Sequence, residues 1–520
     1  MSINSILSMS QQALQVNQYA LNIVSHNISN MNTEGYAKQR IELAENGSHT
    51  EVNTNAGIKK IGSGVRIDDI ISYRDQFLDD YFRGKNSTSN REAMLSEYGG
   101  YIDEIFKSDL DKGGISGAIN SFYEAAQSLA SNPTDLALRT NFMQQAQAVT
   151  QTLNELYNNV ESFKTTLVGN ALETGSVQNS LSAQQVSHIN EKLEQIAEMN
   201  LAIVRSGSSG TVANDLVNQR AGLMDELSEM IGYEATYNNN GTVNINIAGK
   251  TVVKGAEQKI KLEVKQGDVT QPIKIEMQDM QGNTINGKED ITSEITSGQL
   301  GAFLQLGLGT DDTVFSINNV LEDLNTFAQG FAKSINDIQT HQSATSQAMY
   351  VDADNKLHAL TADDVIFVDN LGGITNITAQ NISINPDIMN NPRMLATARV
   401  ELDPATGAVL NPDAIGNNAN ILAFVATRDA KIPELGGVTA TDYLTSMISN
   451  VGNDVANLKT SYDTANALSM SAEEQRNSKM GVNIDEELID LVKFQKAYEA
   501  AARIFSTANQ VYDILVNLGG

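Results

Sequence analysis

Residues 27–40 read NISNMNTEGYAKQR, and charge first enters the chain within this stretch. The 33 residues before Glu34 contain no Asp, Glu, Lys or Arg. Asn30 and Asn32 are residues that stop helices, and Asn32-Thr33-Glu34-Gly35 predicts a type I turn closed by a glycine with a positive φ. We therefore expect an uncharged N-terminal segment that ends at a defined turn.

Upstream of that turn, residues 3–28 predict one long helix. Eight positions follow one another at alternating steps of three and four residues, the spacing of a coiled-coil seam. They are Ile3, Leu7, Ser10, Leu14, Asn17, Leu21, Val24 and Ile28. Two neighbouring rows are also mostly apolar, so this helix should be covered on several sides.

The C-terminal residues 484–518 predict a second helix of the same kind. Asn483 is a suitable N-cap, with Glu486 three residues later, and the only charge from Ile504 to Gly520 is Asp513. The seam again alternates steps of three and four. Its members are Ile484, Leu488, Leu491, Gln495, Tyr498, Ala502, Phe505, Asn509, Tyr512 and Val516.

The two terminal helices are marginal alone but can pair with each other. One pair still leaves much of the N-terminal helix uncovered. Periodicity favours an intramolecular coiled coil that caps an ordinary globular protein. The uncharged N-terminal segment favours a different arrangement, in which copies of the chain pack side by side and cover the helices.

Between the ends, the period of the hydrophobic pattern changes several times. Alternating residues around Val243, Leu262 and Ile275 predict β-hairpins. The predicted order is irregular or partly extended over 36–72; helical over 74–107, 115–131, about 135–205 and 213–231; β over 233–297; helical over 300–343; mixed and β-rich over 345–416; and helical over 417–518, interrupted near 478–483.

This pattern predicts an α+β multidomain fold with paired terminal helices, a mainly helical middle of long helices and inserted β-rich outer domains. The predicted division is a terminal helical core of 1–35 plus 484–520; a mainly helical domain of 36–231, 298–344 and 417–483; a β-rich outer domain of 232–297; and a second mixed outer segment of 345–416.

Composition excludes several functions. The chain has 520 residues and a formal net charge of −28, so it repels nucleic acid and anionic membranes. It lacks Cys, and its five His are scattered, so we expect neither disulfides nor a metal site. The N-terminus matches neither a cleaved signal peptide nor a membrane span.

Catalytic patterns are incomplete. Gly282–Lys288 matches a phosphate-binding loop up to its Lys, but Glu289 follows where a hydroxyl is needed. Asp352 and Asp354 open like a calcium loop, and Leu357 replaces its glycine. We therefore expect no catalytic residues, no metal and no cofactor.

The terminal motifs resemble those of a known family. Asn27-Ile28-Ser29-Asn30 with Asn32-Thr33-Glu34-Gly35-Tyr36, and GVNIDEELIDLVKFQKAYEAAARIFSTANQVYDILVNL at 481–518, are similar to the two signatures of bacterial flagellar axial proteins. Gly35-Tyr36 before Lys38-Gln39-Arg40 resembles the hook-associated members, although Lys stands at a usual Arg. Segments NPTDLALRTNFMQQAQAV (132–149) and DLVNQRAGLMDELSEMIG (215–232) also resemble those members.

The resemblance implies a structural protein that is exported unfolded through the flagellar type III apparatus and lacks a cleaved signal peptide. It would assemble outside the cell at the distal end of the hook. Its implied partners are copies of itself, hook protein, a second junction protein and a cytoplasmic chaperone that binds the C-terminal helix.

The resemblance also implies assembly residues. In the N-terminal helix and turn they are Ile3, Leu7, Leu14, Leu21, Val24, Asn27, Asn30, Asn32, Gly35 and Tyr36; in the C-terminal helix, where the chaperone would also bind, they are the ten seam residues named above.

Two alternatives remain. The nearer one is a hook or distal rod subunit, which would share the terminal signatures. The more distant one is a secreted coiled-coil adhesin, whose terminal helices would be ordered in the monomer.

Overall fold

The computed structural model describes residues 3–33, 35–46, 49–54, 57–62, 64–111, 113–207, 211–311, 313–411 and 414–518. Its helices are α1 (Ile3–Ser29), α2 (Gln76–Asp111), α3 (Gly114–Ser131), α4 (Leu136–Val168), α5 (Leu181–Ser206), α6 (Thr211–Met230), α7 (Gly298–Leu308), α8 (Ile317–Gln339), α9 (Pro386–Asn390), α10 (Ala419–Ala426), α11 (Ala440–Met480) and α12 (Ile484–Leu518).

The strands form small antiparallel sheets. They are β1 (Gln39–Glu45), β2 (His49–Thr54), β3 (Gly57–Gly62), β4 (Val65–Ser72), β5 (Glu234–Tyr237), β6 (Val243–Ile247), β7 (Lys250–Lys254), β8 (Glu257–Gln258), β9 (Ile260–Gln266), β10 (Ile273–Asp279), β11 (Ser346–Val351), β12 (Leu357–Ala359), β13 (Phe367–Asp369), β14 (Ile382–Ile384) and β15 (Ala398–Glu401).

Most strands pair with a strand that is close in the chain, whereas β11 with β15 is a long-range pair. Strands β1 and β4 pair with a register shift between Glu42 and Leu43, and β2 pairs with β3 beyond them. Strands β5 to β8 form a four-stranded meander, and β9 pairs with β10. Strand β11 lies between β12 and β15, and β13 pairs with β14. Hairpins and meanders of this kind need only short turns.

The terminal elements lie together at one end of the fold. Helices α1 and α12 pack against each other, and β1 and β4 lie against α1. The pairing is antiparallel, because Asn27 near the end of α1 meets Glu487 near the start of α12, and Ala20 and Phe494 line one crevice further along. Residues 481–483 connect α11 directly to α12.

A large apolar core organises the middle of the chain. Phe122 of α3 is fully buried, and its ring centroid lies 4.9 Å from that of Phe142 in α4 and 5.6 Å from that of Phe331 in α8. Phe331 lies 5.5 Å from Phe367 of β13. Edge and tilted ring contacts at these distances fix the packing of three helices and a strand.

The structure confirms the predicted fold class: long terminal helices, long helices in the middle of the chain and small β-sheets. The predicted β-strands around Val243, Leu262 and Ile275 are also confirmed. The predicted interruption near 478–483 is present at 481–483. The division into domains stays a prediction.

Three parts of the predicted helix pattern were wrong. The helix expected over 135–205 is broken at 169–180, and that over 300–343 is broken at 309–316. Gly169 causes the first break, because its φ is +82° and a Cβ there would lie 2.4 Å from Val177 Cα. Residues 427–439 leave the helical pattern. The strands within 36–72 agree with the partly extended chain predicted there.

Candidate assembly site

The paired terminal helices and the adjoining turn contain the predicted assembly residues. Six side chains of α1 are buried: Ser10, Val16, Ala20, Ile23, Val24 and Asn27. Two of the predicted residues, Val24 and Asn27, are thus buried. The partly buried predicted residues of this region are Ile3, Leu7, Leu14, Leu21, Asn30, Gly35 and Tyr36. Asn32 is exposed.

In α12 the covered side is displaced from the predicted seam. Glu487, Ala501 and Ala508 are buried, and Phe494 between them is partly buried. These positions are seven residues apart, so they lie on one side of the helix. Of the predicted seam, Leu491, Ala502 and Phe505 are partly buried. The exposed members are Ile484, Leu488, Gln495, Tyr498, Asn509 and Tyr512; the Val516 side chain lies outside the described part of the chain.

Asn27 is the centre of a hydrogen-bond network between the two helices. Its Nδ2 donates to the Gln39 carbonyl at 2.9 Å and to Glu487 Oε2 at 3.1 Å. Its Oδ1 accepts from the Gln39 amide at 3.0 Å and from the Tyr36 hydroxyl at 2.9 Å. Every hydrogen-bonding group of this buried amide is therefore used, which the low polarity of its site requires.

Further polar contacts extend this network. Nδ1 of His26 lies 3.0 Å from the Tyr36 hydroxyl oxygen, and its Nε2 lies 3.5 Å from Asp215 Oδ2. Gln39 Nε2 donates to Asp215 Oδ1 at 2.8 Å. Asp215 belongs to α6, so these contacts join the terminal pair to the helices of the middle region.

Two ion pairs join the start of β1 to α12. Lys38 Nζ lies 3.3 Å from Glu486 Oε2, and Arg40 Nη2 lies 3.3 Å from Asp490 Oδ2. One partner of each pair is largely exposed, so each pair contributes little stability on its own. Their main effect is on position, because they hold residues 38–40 beside the N-terminal part of α12.

Burial perturbs two ionisable groups of the network. It raises the pKa of Glu487, while the hydrogen bond from Asn27 opposes the shift. Burial also raises the pKa of Tyr36 well above its usual value, and the charges of Asp215 and Glu487 add to that effect. The Tyr36 hydroxyl therefore stays protonated and remains a hydrogen-bond donor to Asn27.

The turn between α1 and β1 is shifted by one residue from the predicted turn over 32–35, because the Tyr36 amide donates to the Thr33 carbonyl at 3.2 Å. Gly35 has φ +69°, as the sequence predicted, and a Cβ at this position would lie 3.5 Å from Asp225 Oδ2. Arg74 donates to the Gly35 carbonyl. Glu34, the third residue of the predicted turn, lies outside the described residues.

Below the turn, a buried charge cluster joins three helices. Asp225 of α6 accepts from Arg83 Nε of α2 and from Arg476 Nη1 of α11, each at 2.7 Å. Arg476 is fully buried, and its guanidinium carbon lies 3.9 Å from the centroid of the Phe82 ring. Arg74 Nη1 donates to buried Asp79 at 2.8 Å. Charges buried this deeply need their partners.

Sequence reasoning did not assign roles to several of these residues. His26, Glu487, Asp225 and Arg476 were missed because their partners lie up to 460 positions away in the chain. One signal was available: the segment 215–232, which carries the family resemblance, contains both Asp215 and Asp225.

The arrangement has the chemistry of a structural connection. Its charged and amide side chains pair with one another across helices, although Arg74 Nε, Asp79 Oδ1 and Arg476 Nε have no hydrogen-bond partner within the described ranges. No cluster of metal-ligating side chains occurs among the described residues. Nor does any helix in that part of the chain combine the length and apolarity needed to cross a bilayer.

Both ends and the middle of the chain match family models. Residues 7–36 match the flagella basal body rod protein model, and 474–518 match the C-terminal model of flagellar basal body rod FlgEFG proteins. Residues 100–349 match the helical domain of flagellar hook-associated protein FlgK. Together with the paired terminal helices, these matches define the class of flagellar axial proteins.

Full-length relatives narrow the class. Flagellar hook-associated protein 1 of Salmonella typhimurium is 26% identical and aligns over 99% of this chain and 100% of its own. That of Bacillus subtilis is 25% identical, and the alignment covers 98% of this chain and 97% of the relative. The flagellar hook junction protein FlgK of Burkholderia pseudomallei has a similar fold, with a TM-score of 0.57 and 14% sequence identity. The match covers 78% of this chain and 100% of that structure. This similarity over nearly the full length confirms the resemblance to the flagellar hook-associated proteins that the sequence predicted.

Proposed function

We propose that this chain is a structural subunit that adds to the distal end of the flagellar hook and forms the junction with the flagellin filament. The observation that carries the proposal is the uncovered apolar side of α12. Ile484, Leu488, Ile489 and Val492 are 43%, 47%, 68% and 53% exposed, although the helix is paired with α1. Neighbouring copies in a tubular assembly would cover these side chains.

The free energy gained by covering these side chains is large enough to favour assembly. Full burial of an aliphatic side chain stabilises by about 1.5–3 kcal/mol, so covering a half-exposed one contributes roughly 1 kcal/mol. The first turns of α12 alone would then contribute about 4 kcal/mol per copy. This supports the predicted assembly role of Ile484, Leu488, Tyr498 and Tyr512, all exposed in the single chain.

The predicted domains take definite places in this assembly. The terminal core of 1–35 plus 484–520 forms the inner wall, and the mainly helical domain surrounds it. The β-rich segments 232–297 and 345–416 face outward, where the net charge of −28 keeps the surface soluble.

The partners follow from the same location. They are further copies of this chain, hook protein and a second junction protein. Before export, a cytoplasmic chaperone covers 484–518 and shields its apolar side chains. The chain then passes unfolded through the flagellar type III apparatus, and it performs no catalysis and holds no cofactor.

A deletion strain tests this function. Cells without this chain should form hooks of normal length, carry no filaments and release flagellin into the medium, and a plasmid copy should restore filaments. Absence of hooks would instead favour the hook or rod alternative. Normal filaments in the deletion strain would refute both.

Hydrogen exchange separates the junction subunit from a secreted adhesin. In the purified monomer, backbone amides of residues 3–30 and 490–518 should exchange fast, because local opening of a partly covered helix pair costs little free energy. The same amides should become protected in isolated flagella. Full protection in the monomer would contradict the proposal.

A further inference from the structure

The lower parts of α2 and α11 form a stalk, defined here as residues 76–90 and 463–480. One row of α11 faces α2 and is buried: Ala465, Ser469, Ala472, Arg476 and Met480. The row is held by Arg476, which lies over the Phe82 ring of α2. Much of the remaining circumference of this part of α11 is exposed, which is unusual for a helix inside a folded body.

On α2, the side of the stalk away from α11 presents an aromatic row. Phe77 is 75% exposed and Tyr81 is 39% exposed. Their rings stack with centroids 6.4 Å apart, and Lys85 Nζ lies 5.6 Å from the centroid of Tyr81. Gly84 lies beside them, and a Cβ there would meet nothing within 4 Å. The row is accessible and its side chains are already ordered against one another.

On α11, Met470 and Glu474 are exposed and lie four residues apart, so they share one side of the helix. They are separated from the buried row that contacts α2. Their chemistry complements the aromatic row, since a thioether packs favourably against aromatic rings and a carboxylate attracts a lysine.

Resting on the proposed function, we propose that the aromatic row of one copy packs against Met470 and Glu474 of the next copy in the assembly. Copies arranged around an axis meet through two different surfaces, one from each flank. The two surfaces lie at the same level of the stalk, because Phe82 contacts Arg476 there. The contact continues outward from the exposed side of α12, which begins directly after α11.

Engineered cysteines test this contact cleanly, because the chain contains none of its own. Flagella carrying Gly84→Cys together with Met470→Cys should give a covalent ladder of this chain after oxidation or treatment with a short bis-maleimide. The ladder arises because each copy carries both thiols and the contact joins unlike surfaces. Each single variant should give no covalent oligomer.

Two outcomes of this experiment would overturn the proposal. A dimer from either single variant would show contact between like surfaces. Absence of a ladder, or a cross-link only to a different protein, would refute the proposed contact. As a matched control, Ser128→Cys on the exposed side of α3, combined with Met470→Cys, should give no ladder.

Charge reversal tests the assigned partner. Lys85→Glu and Glu474→Lys should each reduce the ladder yield by several-fold, and the double reversal should restore it; no effect of either would exclude Glu474 as the partner. Immunodetection on isolated hooks separates the two proposals. If the cysteine variants are present on hooks that carry filaments but give no ladder, only the stalk contact is refuted. If the wild-type chain is absent from hooks, the junction function is refuted, and this contact with it.

Discussion

Removing the Asp225 carboxylate should destabilise the helical body more than any comparable surface change. Asp225 accepts hydrogen bonds from Arg83 and Arg476, both at 2.7 Å, and these arginines are 4% and 1% exposed. In Asp225→Ala, both guanidinium groups lose that partner. Leaving a buried charge uncompensated costs about 3–5 kcal/mol.

The structure favours the lower end of that range. Arg83 keeps Asp80 at 3.4 Å and the Tyr237 hydroxyl at 3.0 Å, and Arg476 keeps Asp79 at 3.8 Å. We therefore expect a loss of about 3 kcal/mol. Urea unfolding of the purified monomer, followed by circular dichroism, should show a midpoint lower by roughly 1 M if the slope is about 3 kcal/mol/M.

Asp337→Ala is the matched control, because Asp337 also lies on a helix and pairs with Lys333 at 2.8 Å but is 63% exposed at its side chain. Its loss should cost about 0–1 kcal/mol. Equal midpoints for the two variants would refute the view that the buried cluster holds α2, α6 and α11 together.

Three further predictions concern the terminal network. Asn27→Leu should cost about 1–3 kcal/mol in the helix pair because it leaves buried partners unsatisfied; faster amide exchange of α1 and α12 in the monomer should show this loss, whereas Asn32→Leu at an exposed position should leave those exchange rates unchanged. Because burial raises the pKa of Glu487, the folded pair favours the protonated form and loses stability as pH rises through that pKa. Glu487→Gln should therefore slow amide exchange of α12 relative to the parent protein at pH 8 and match it at acidic pH; an equal difference at both pH values would contradict this assignment. Gly35→Val should introduce about 1–3 kcal/mol of backbone strain at φ +69° and reduce filament attachment. Gly35→Asn should introduce less strain and reduce filament attachment less, because Asn tolerates left-handed backbone. Equal attachment in the two variants would show that φ at this residue is unimportant.

Local patterns predicted much of the fold. The three-and-four spacing predicted α1 and α12, and Asn483 does cap α12, accepting from the Asp485 amide at 2.9 Å. Alternation around Ile245 and Ile275 predicted strands. The positive φ of Gly35 was also predictable, because glycine commonly closes a type I turn and takes a positive φ without steric cost. Each of these features depends on residues close together in the chain.

The breaks in long helices were harder to predict. Residues 135–205 carry a helical pattern on both sides of Gly169, and nothing in that periodicity requires a stop. The break is fixed by close contact between Gly169 and Val177, which exists only once the loop has folded back. An isolated glycine within a helical pattern does not indicate this by itself.

The amino-acid sequence by itself determined that both ends are charge-poor helices joined to the chain by an Asn/Gly turn and an Asn cap, because hydrophobic period and capping chemistry act over a few residues. Only the tertiary structure decided which side of α12 is covered, that Asn27 meets Glu487, and that Asp225 lies between Arg83 and Arg476. A helix with apolar residues on several sides can pair through more than one of them. Which side pairs is decided by buried polar groups from distant parts of the chain, because each of them needs a hydrogen-bond partner at the same buried site.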